Sequence, residues 1–265
     1  MWVEKVTNGY NDSRDVTLYK VHEFLTSDEI KECRTALEPL ITKYKEVRKN
    51  KFELTETPMF GNDYLIVDVS PDDYKIINPH LIRSDLDAYS DHNCQFRFHP
   101  FQRALRDVFT KIIIRIIETI CRLKQVSGKL NFRINLKSFV GSCSAGETMK
   151  TNLGWHYDFL GKTTMALEIL NDITDAGTLE FSKNCFDSNG KYVGCTPYNQ
   201  NCAKPLEESN ISVKYPQNGA ILFDGYRGNQ IHRPVIDAVK CKETSTFARV
   251  VLQVVLTDNE WADGK

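Results

Sequence analysis

One periodic stretch constrains this chain more than any other. Leu105, Val108, Phe109, Ile112, Ile113, Ile116, Ile117 and Ile120 recur at helical spacing. Arg115, Glu118 and Arg122 mark the opposite, polar face. The pattern predicts a long amphipathic helix running to about Gln125. So broad an apolar stripe is stable only against a second hydrophobic surface, and a β-sheet is the surface expected.

The residues beyond Gly128 supply that sheet. "LNFRINLKSFV" alternates apolar and polar residues, and "TTMALEIL", "GTLEF", "ISVKYP", "GAILFD" and "RVVLQVVL" follow at close spacing. Gly and Asn sit between them, as in sandwiches and jelly rolls. Upstream, "VTLYKVHEFL" reads as a strand, and Thr26 or Ser27 caps a helix with acidic residues in its first turn. Residues 52–98 show few clear periods. "DYLIVDV" fits a strand and "SPDDYKIIN" a turn or short helix. This segment, with Asp72, Asp73, Tyr74, Asp85 and Tyr89, is a candidate lid. The expected fold is α+β with a mainly β core, a double-stranded β-helix (jelly roll) buttressed by N-terminal helices. A single domain over 1–265 is expected, with 1–128 as support and lid and 129–260 as the core.

Composition narrows the function. The chain has 265 residues, 41% hydrophobic and 26% charged, with a net charge of −1. That balance gives no reason to expect a nucleic acid or a membrane as partner. The first residues carry no apolar run of signal-peptide length, so a soluble, intracellular protein is expected. Its eight cysteines then read as free thiols. Cys185, Cys195 and Cys202 share one polar loop without a CxxC pair, which leaves their role, a structural zinc included, undecided.

The chemistry concentrates at "GWHYDF", residues 154–159. Residues i and i+2 of a strand share a face, so His156 and Asp158 can grip one ion. Two histidines and one carboxylate around open positions characterise non-heme Fe(II) oxygenases. Of six histidines, four precede the β core, and His232 is the remaining candidate for the third ligand. Arg249 opens "RVVLQVVL" and shares a face with Val251, Gln253 and Val255. An inward arginine is costly unless paired. Either a protein acid or the far carboxylate of a bound dicarboxylate would satisfy it.

Together these segments resemble the Fe(II)/2-oxoglutarate-dependent oxygenases, in particular the prolyl 4-hydroxylase-like branch, over residues 130–258. The resemblance is carried by "WHYDF", "TTMALEILNDITDAGTLEF", "YPQNGAILFDGYRGNQIHRPV" and "RVVLQVVLTD", in that order. "VHEFLTSDEIKECRTAL" is similar to the family's N-terminal strand and helix. The resemblance implies iron held by His156, Asp158 and His232, and 2-oxoglutarate anchored by Arg249, with Lys242 as the rival anchor. Lys137 or Ser138 stands near the position of the family's tyrosine partner of the co-substrate. It implies Fe(II), 2-oxoglutarate and dioxygen, and admits ascorbate. The implied reaction hydroxylates an unactivated C–H bond and releases succinate and carbon dioxide. Asp158 favours hydroxylation over halogenation, while desaturation and cyclisation stay open. Asn152, Trp155, Tyr157, Glu168, Glu180, Tyr226 and Arg233 are candidates to meet the substrate, which is an amino acid, a peptidyl residue or a small metabolite. Two other readings stand beside this one: a non-catalytic metal-binding jelly-roll module, and a cupin-like iron enzyme that uses no 2-oxoglutarate. The sequence is silent on oligomeric state.

Overall fold

The computed structural model describes residues 1–6, 18–48, 55–58, 63–84, 100–143, 145–146, 148–149, 161–171, 177–182, 210–224, 232–235, 239–240 and 245–257. Its largest unit is a nine-stranded sheet. The sheet centres on β14 (Ser245–Thr257), which lies between β6 (Gly128–Cys143) and β8 (Gly161–Asn171). On the β8 side follow β11 (Ala220–Asp224), β2 (Leu18–His22) and β1 (Trp2–Lys5). On the β6 side lie β3 (Thr55–Pro58), β4 (Asp63–Val69) and β5 (Ile76–Ser84). A second sheet has three strands, with β9 (Thr178–Ser182) between β10 (Asn210–Lys214) and β12 (His232–Val235). A short ladder joins β7 (Thr148–Met149) to β13 (Val239–Lys240).

The strand period of two divides the core into two layers. Phe132, Ile134 and Leu136 of β6, Met165, Leu167 and Ile169 of β8, and Val250, Leu252, Val254 and Leu256 of β14 pack with the helices. The helices are α1 (Ser27–Arg48) and α2 (Pro100–Lys124). Their buried residues in this layer include Cys33, Leu37 and Ile41 from α1, and Phe109, Ile112, Ile116, Ile117 and Ile120 from α2. The amphipathic stripe therefore meets the sheet it required. The side chain of Leu105 lies outside the described residues. Alternate residues form the other layer. Ala166, Ile221, Phe223 and Val251 of the large sheet pack against Leu179, Phe181, Ile211 and Val213 of the small one. The two sheets thus share an interior of their own.

Local chemistry sets the helix ends. Thr26, rather than Ser27, caps α1. Its Oγ1 accepts a hydrogen bond from the Glu29 amide at 3.2 Å, and the Glu29 carboxylate accepts one from the Thr26 amide at 2.8 Å. This is a reciprocal capping box. Helix α2 stops where Gln125 turns to φ 52° and the Val126 amide donates to the Cys121 carbonyl at 3.0 Å. The polar face of α2 is tied down as well. Arg115 pairs with Glu29 of α1 at 3.0 Å, and Glu118 pairs with Lys75 at 2.6 Å. At the end of α2, Lys124 reaches Asp224 of β11 at 2.8 Å, and Thr163 donates to the same carboxylate.

The described part of the candidate lid is sheet edge. Strands β3 and β4 pair with β6, and β5 pairs with β4. Leu65, Val67 and Val69 are buried in the helix-side layer, which fixes β4 to the sheet. Asp72 and Asp73 lie exposed in the turn between β4 and β5, and Tyr74 follows at φ 59°. Asp85 and Tyr89 lie outside the described residues. Among the described residues, no helix is long and apolar enough to cross a membrane.

Cys33 and Cys121 are free and buried in the helix-side layer. Burial pushes both thiols up to about 12. They stay protonated at neutral pH, and the thiolate is the reactive form. Native protein treated with an aromatic disulfide reagent at pH 8 should therefore leave both unlabelled. A C33A/C121A variant should show the same native labelling count as the parent and a lower count in denaturant. A drop in the native count would contradict the packing.

Candidate active site between the two sheets

His232 opens β12, opposite Phe181 of β9. It is 2% exposed. Its ring centroid lies 4.6 Å from that of Phe223 on the large sheet and 5.9 Å from that of Phe181. The predicted ligand thus sits in the interior between the sheets, oriented by two aromatic rings. His156 and Asp158 lie outside the described residues, as do Asn152, Trp155, Tyr157, Tyr226 and Lys242, and Cys185, Cys195 and Cys202. Among the described residues there is no group of three metal-capable side chains. His232 is the member of the predicted set that they include. An imidazole at the mouth of a strand and walled by rings is a fitting donor for a metal such as iron.

The register locates the rest of the wall. Phe223 stands opposite Thr164, Thr164 opposite Val255, and Val255 opposite Arg133. One rung further along, Ile221, Ala166, Gln253 and Asn135 align in the same way. Because Phe132, Ile134 and Leu136 face the helices, Arg133, Asn135 and Lys137 project from the other face of β6. Lys137 stands opposite Val251, which belongs to the inter-sheet core. Ser138 stands opposite Val250, which belongs to the helix-side core. Register therefore puts Lys137 on the inter-sheet face of β6.

Arg249 lies on this inner face, 1% exposed. A protein acid does pair with it. Its Nε donates to Glu168 Oε1 at 2.6 Å. Glu168 is held from two further sides, by the Gly177 amide at 3.1 Å and the Asn171 side-chain amide at 3.2 Å. The Arg249 guanidinium also lies over the Tyr215 ring at 5.2 Å, and the Tyr215 amide donates to the Gly177 carbonyl. Gly177 is wedged into this cluster. A Cβ there would collide with the Arg249 guanidinium and the Glu168 carboxylate. Arginine carries five N–H donors, so a bond to one carboxylate leaves it able to engage a second.

The described substrate candidates fall in other places. Glu168 is a partner of Arg249. Glu180 and Arg233 face each other across β9 and β12 and form an ion pair at 2.7 Å. Their neighbours Leu179 and Phe181 point inward, so this pair lies on the outer face of the small sheet, away from His232. Arg133, Asn135 and Gly177 were not singled out from the sequence. The alternation in "NFRINLK" puts the first two on one face of the strand without showing that the face is covered.

No family model matches the sequence, and no curated protein matches it. Solved structures do match over most of the chain. IDO from Bacillus thuringiensis is 12% identical, covering 91% of this chain and 90% of its own, with a TM-score of 0.48. AtDAO1, dioxygenase for auxin oxidation 1 from Arabidopsis thaliana in a binary complex with 2-oxoglutarate, is 14% identical, covering 92% and 84%, with a TM-score of 0.43. The Fe(II)/α-ketoglutarate-dependent dioxygenase TqaL is 11% identical, covering 90% and 93%, with a TM-score of 0.40. Likeness at this level carries no functional argument, so what the chain does has to be read from its own residues.

Proposed function

We propose that this chain is an Fe(II)- and 2-oxoglutarate-dependent dioxygenase on a jelly-roll core, of the prolyl 4-hydroxylase-like branch. It hydroxylates an unactivated C–H bond of an amino acid, a peptidyl residue or a small metabolite, with succinate and carbon dioxide as co-products. The observation that carries this reading is the pair of buried polar residues in the inter-sheet interior. A histidine and an arginine stand there at 2% and 1% exposure beside an apolar cluster. Apolar cores retain such groups when a ligand or a bonding network satisfies them. In this reading His232 holds the metal together with His156 and Asp158. Arg249 binds the far carboxylate of 2-oxoglutarate, and Phe181 and Phe223 keep the imidazole oriented and dry. Bound iron would supply oxygen activation coupled to decarboxylation of the keto acid.

Anaerobic titration of Fe(II)-loaded protein with 2-oxoglutarate tests this directly. A weak visible charge-transfer band is expected to grow with 2-oxoglutarate. The triple variant His156→Ala, Asp158→Ala, His232→Ala should bind neither iron nor co-substrate. Equal Fe(II) binding by parent and triple variant would refute the metal assignment. The Glu168–Arg249 bond favours one competing reading, an iron enzyme in which Arg249 is purely structural and 2-oxoglutarate is not used. That reading requires bound iron and no band.

A further inference from the structure

Two buried polar atoms on the inner face of β6 are left over by the fold. Arg133 Nε and Asn135 Oδ1 are shielded from solvent and have no hydrogen-bond partner among the described residues. Both residues are half-buried and lie on the face of β6 turned away from the helices, the face on which Val251 of the neighbouring strand meets the small sheet. A buried donor and a buried acceptor without partners are disfavoured, and each is expected to have a use. They are two residues apart on one strand face, roughly 7 Å along the chain. Their rungs are those of Phe223–Thr164–Val255 and Ile221–Ala166–Gln253, and Phe223 is the residue against which His232 packs. Three strand spacings separate Phe223 from Arg133, about 14 Å between backbones. His232 reaches the Phe223 end of this rung from the opposite sheet, and Arg133 stands at its other end. Arg249 lies six residues back along β14 from Val255, so the Arg133 end of the wall is separate from the Arg249 end.

Donor and acceptor together define the ligand. A guanidinium recognises a carboxylate, which accepts only. Asn135 Oδ1 requires a group that donates. We infer that Arg133 and Asn135 form the substrate-recognition wall of this site, and that the substrate is a free small organic acid carrying an amine or hydroxyl donor beside its carboxylate, as α-amino and 2-hydroxy acids do. The inference rests on the dioxygenase reading above. Arg133 binds the carboxylate, Asn135 accepts from the neighbouring donor, and the side chain of the acid extends toward the metal.

The test uses the full chain loaded with Fe(II) and 2-oxoglutarate. Succinate release is measured with the protein L-amino acids and their 2-hydroxy counterparts, each beside its primary carboxamide. At least one free acid should stimulate release, and its carboxamide should not. Arg133→Met and Asn135→Leu should each raise KM for that acid by about 10- to 100-fold, the loss of a charge-assisted hydrogen bond. Both should leave KM for 2-oxoglutarate and the anaerobic band unchanged, and Arg133→Lys should recover part of the loss. If Arg133→Met does not fold, Asn135→Leu carries the test alone. A normal band with no response to any acid overturns this assignment and leaves the dioxygenase reading standing. So does a carboxamide that works as well as its acid, or a rise in KM for 2-oxoglutarate instead. Absence of the band in the parent protein overturns both.

Discussion

Glu168→Ala is expected to destabilise the protein by about 3–5 kcal/mol, the usual cost of removing one partner from a buried ion pair. Arg249 is 1% exposed and the Glu168 side chain 11%, so neither recovers much hydration when the other leaves. Glu168 also accepts from the Gly177 amide and the Asn171 side chain, and those donors lose their acceptor in the same step. Glu168→Gln should cost less, because the neutral amide keeps an acceptor oxygen in place. The double replacement Glu168→Leu with Arg249→Met should recover much of the loss, since a buried pair replaced by apolar residues of similar size is often neutral. Urea unfolding midpoints of the four proteins decide the matter. An unchanged midpoint in Glu168→Ala would mean that the pair contributes as little as an exposed one. The double variant also separates stability from function. If Arg249 binds 2-oxoglutarate, that variant should fold and lose co-substrate affinity.

The legible parts of the fold were those where one period dominated. Helix α2 is an example: its apolar stripe repeated over four turns, and the structure packs that stripe on the sheet it demanded. Strand β14 was legible because "RVVLQVVL" is buried on both faces, which leaves a run of apolar residues around two polar ones. Strands β4 and β5 were harder. Leu65, Val67 and Val69 do alternate, but Ile66 between them is apolar as well, and Pro79 interrupts the next strand. Pairing with β6 decides their place, and pairing is a long-range property.

The site divides along the same line. His232 and Arg249 could be picked out because each is a polar group in a segment that is otherwise core. Glu168 stands in such a segment too, and its bond to Arg249 is not legible there. Nothing in "MALEIL" reveals that Val251, two residues from Arg249, stands opposite Glu168 in the neighbouring strand. Glu180 and Arg233 show how period two flips sides with each residue. Being next to Phe181 and His232 in sequence puts them on the opposite face. Arg133 and Asn135 were overlooked because a polar residue in an alternating strand ordinarily faces water. Here a second sheet covers part of that face, and no property of β6 itself announces it.

Gly177→Ala is the second change with a large expected effect, and it acts through the same cluster. The added methyl would occupy space taken by the Arg249 guanidinium and the Glu168 carboxylate. Atoms at the far end of flexible side chains can often move aside, which makes many such substitutions cheap. These two cannot move independently, because each holds the other and the Tyr215 ring lies against the guanidinium. The backbone of Gly177 has little freedom to retreat, since its amide donates to Glu168 and its carbonyl accepts from Tyr215. Overpacking of this kind costs about 1–3 kcal/mol. A double-mutant cycle distinguishes this cause from a general effect on the turn before β9. If the methyl acts by displacing the pair, Gly177→Ala should cost much less in the Glu168→Leu, Arg249→Met background than in the parent. The two sets of changes should then couple by about 0.5–3 kcal/mol, as residues in contact do. Additive losses would instead place the damage in the local backbone. The co-substrate adds a second reading of the same variant. Should Arg249 anchor 2-oxoglutarate, Gly177→Ala moves the anchor without removing it, so affinity falls while the visible band, once saturated, keeps its position. A shifted band would mean that the keto-acid end near His232 is disturbed too, and that the two ends of the interior are more tightly linked than their separation along β14 implies.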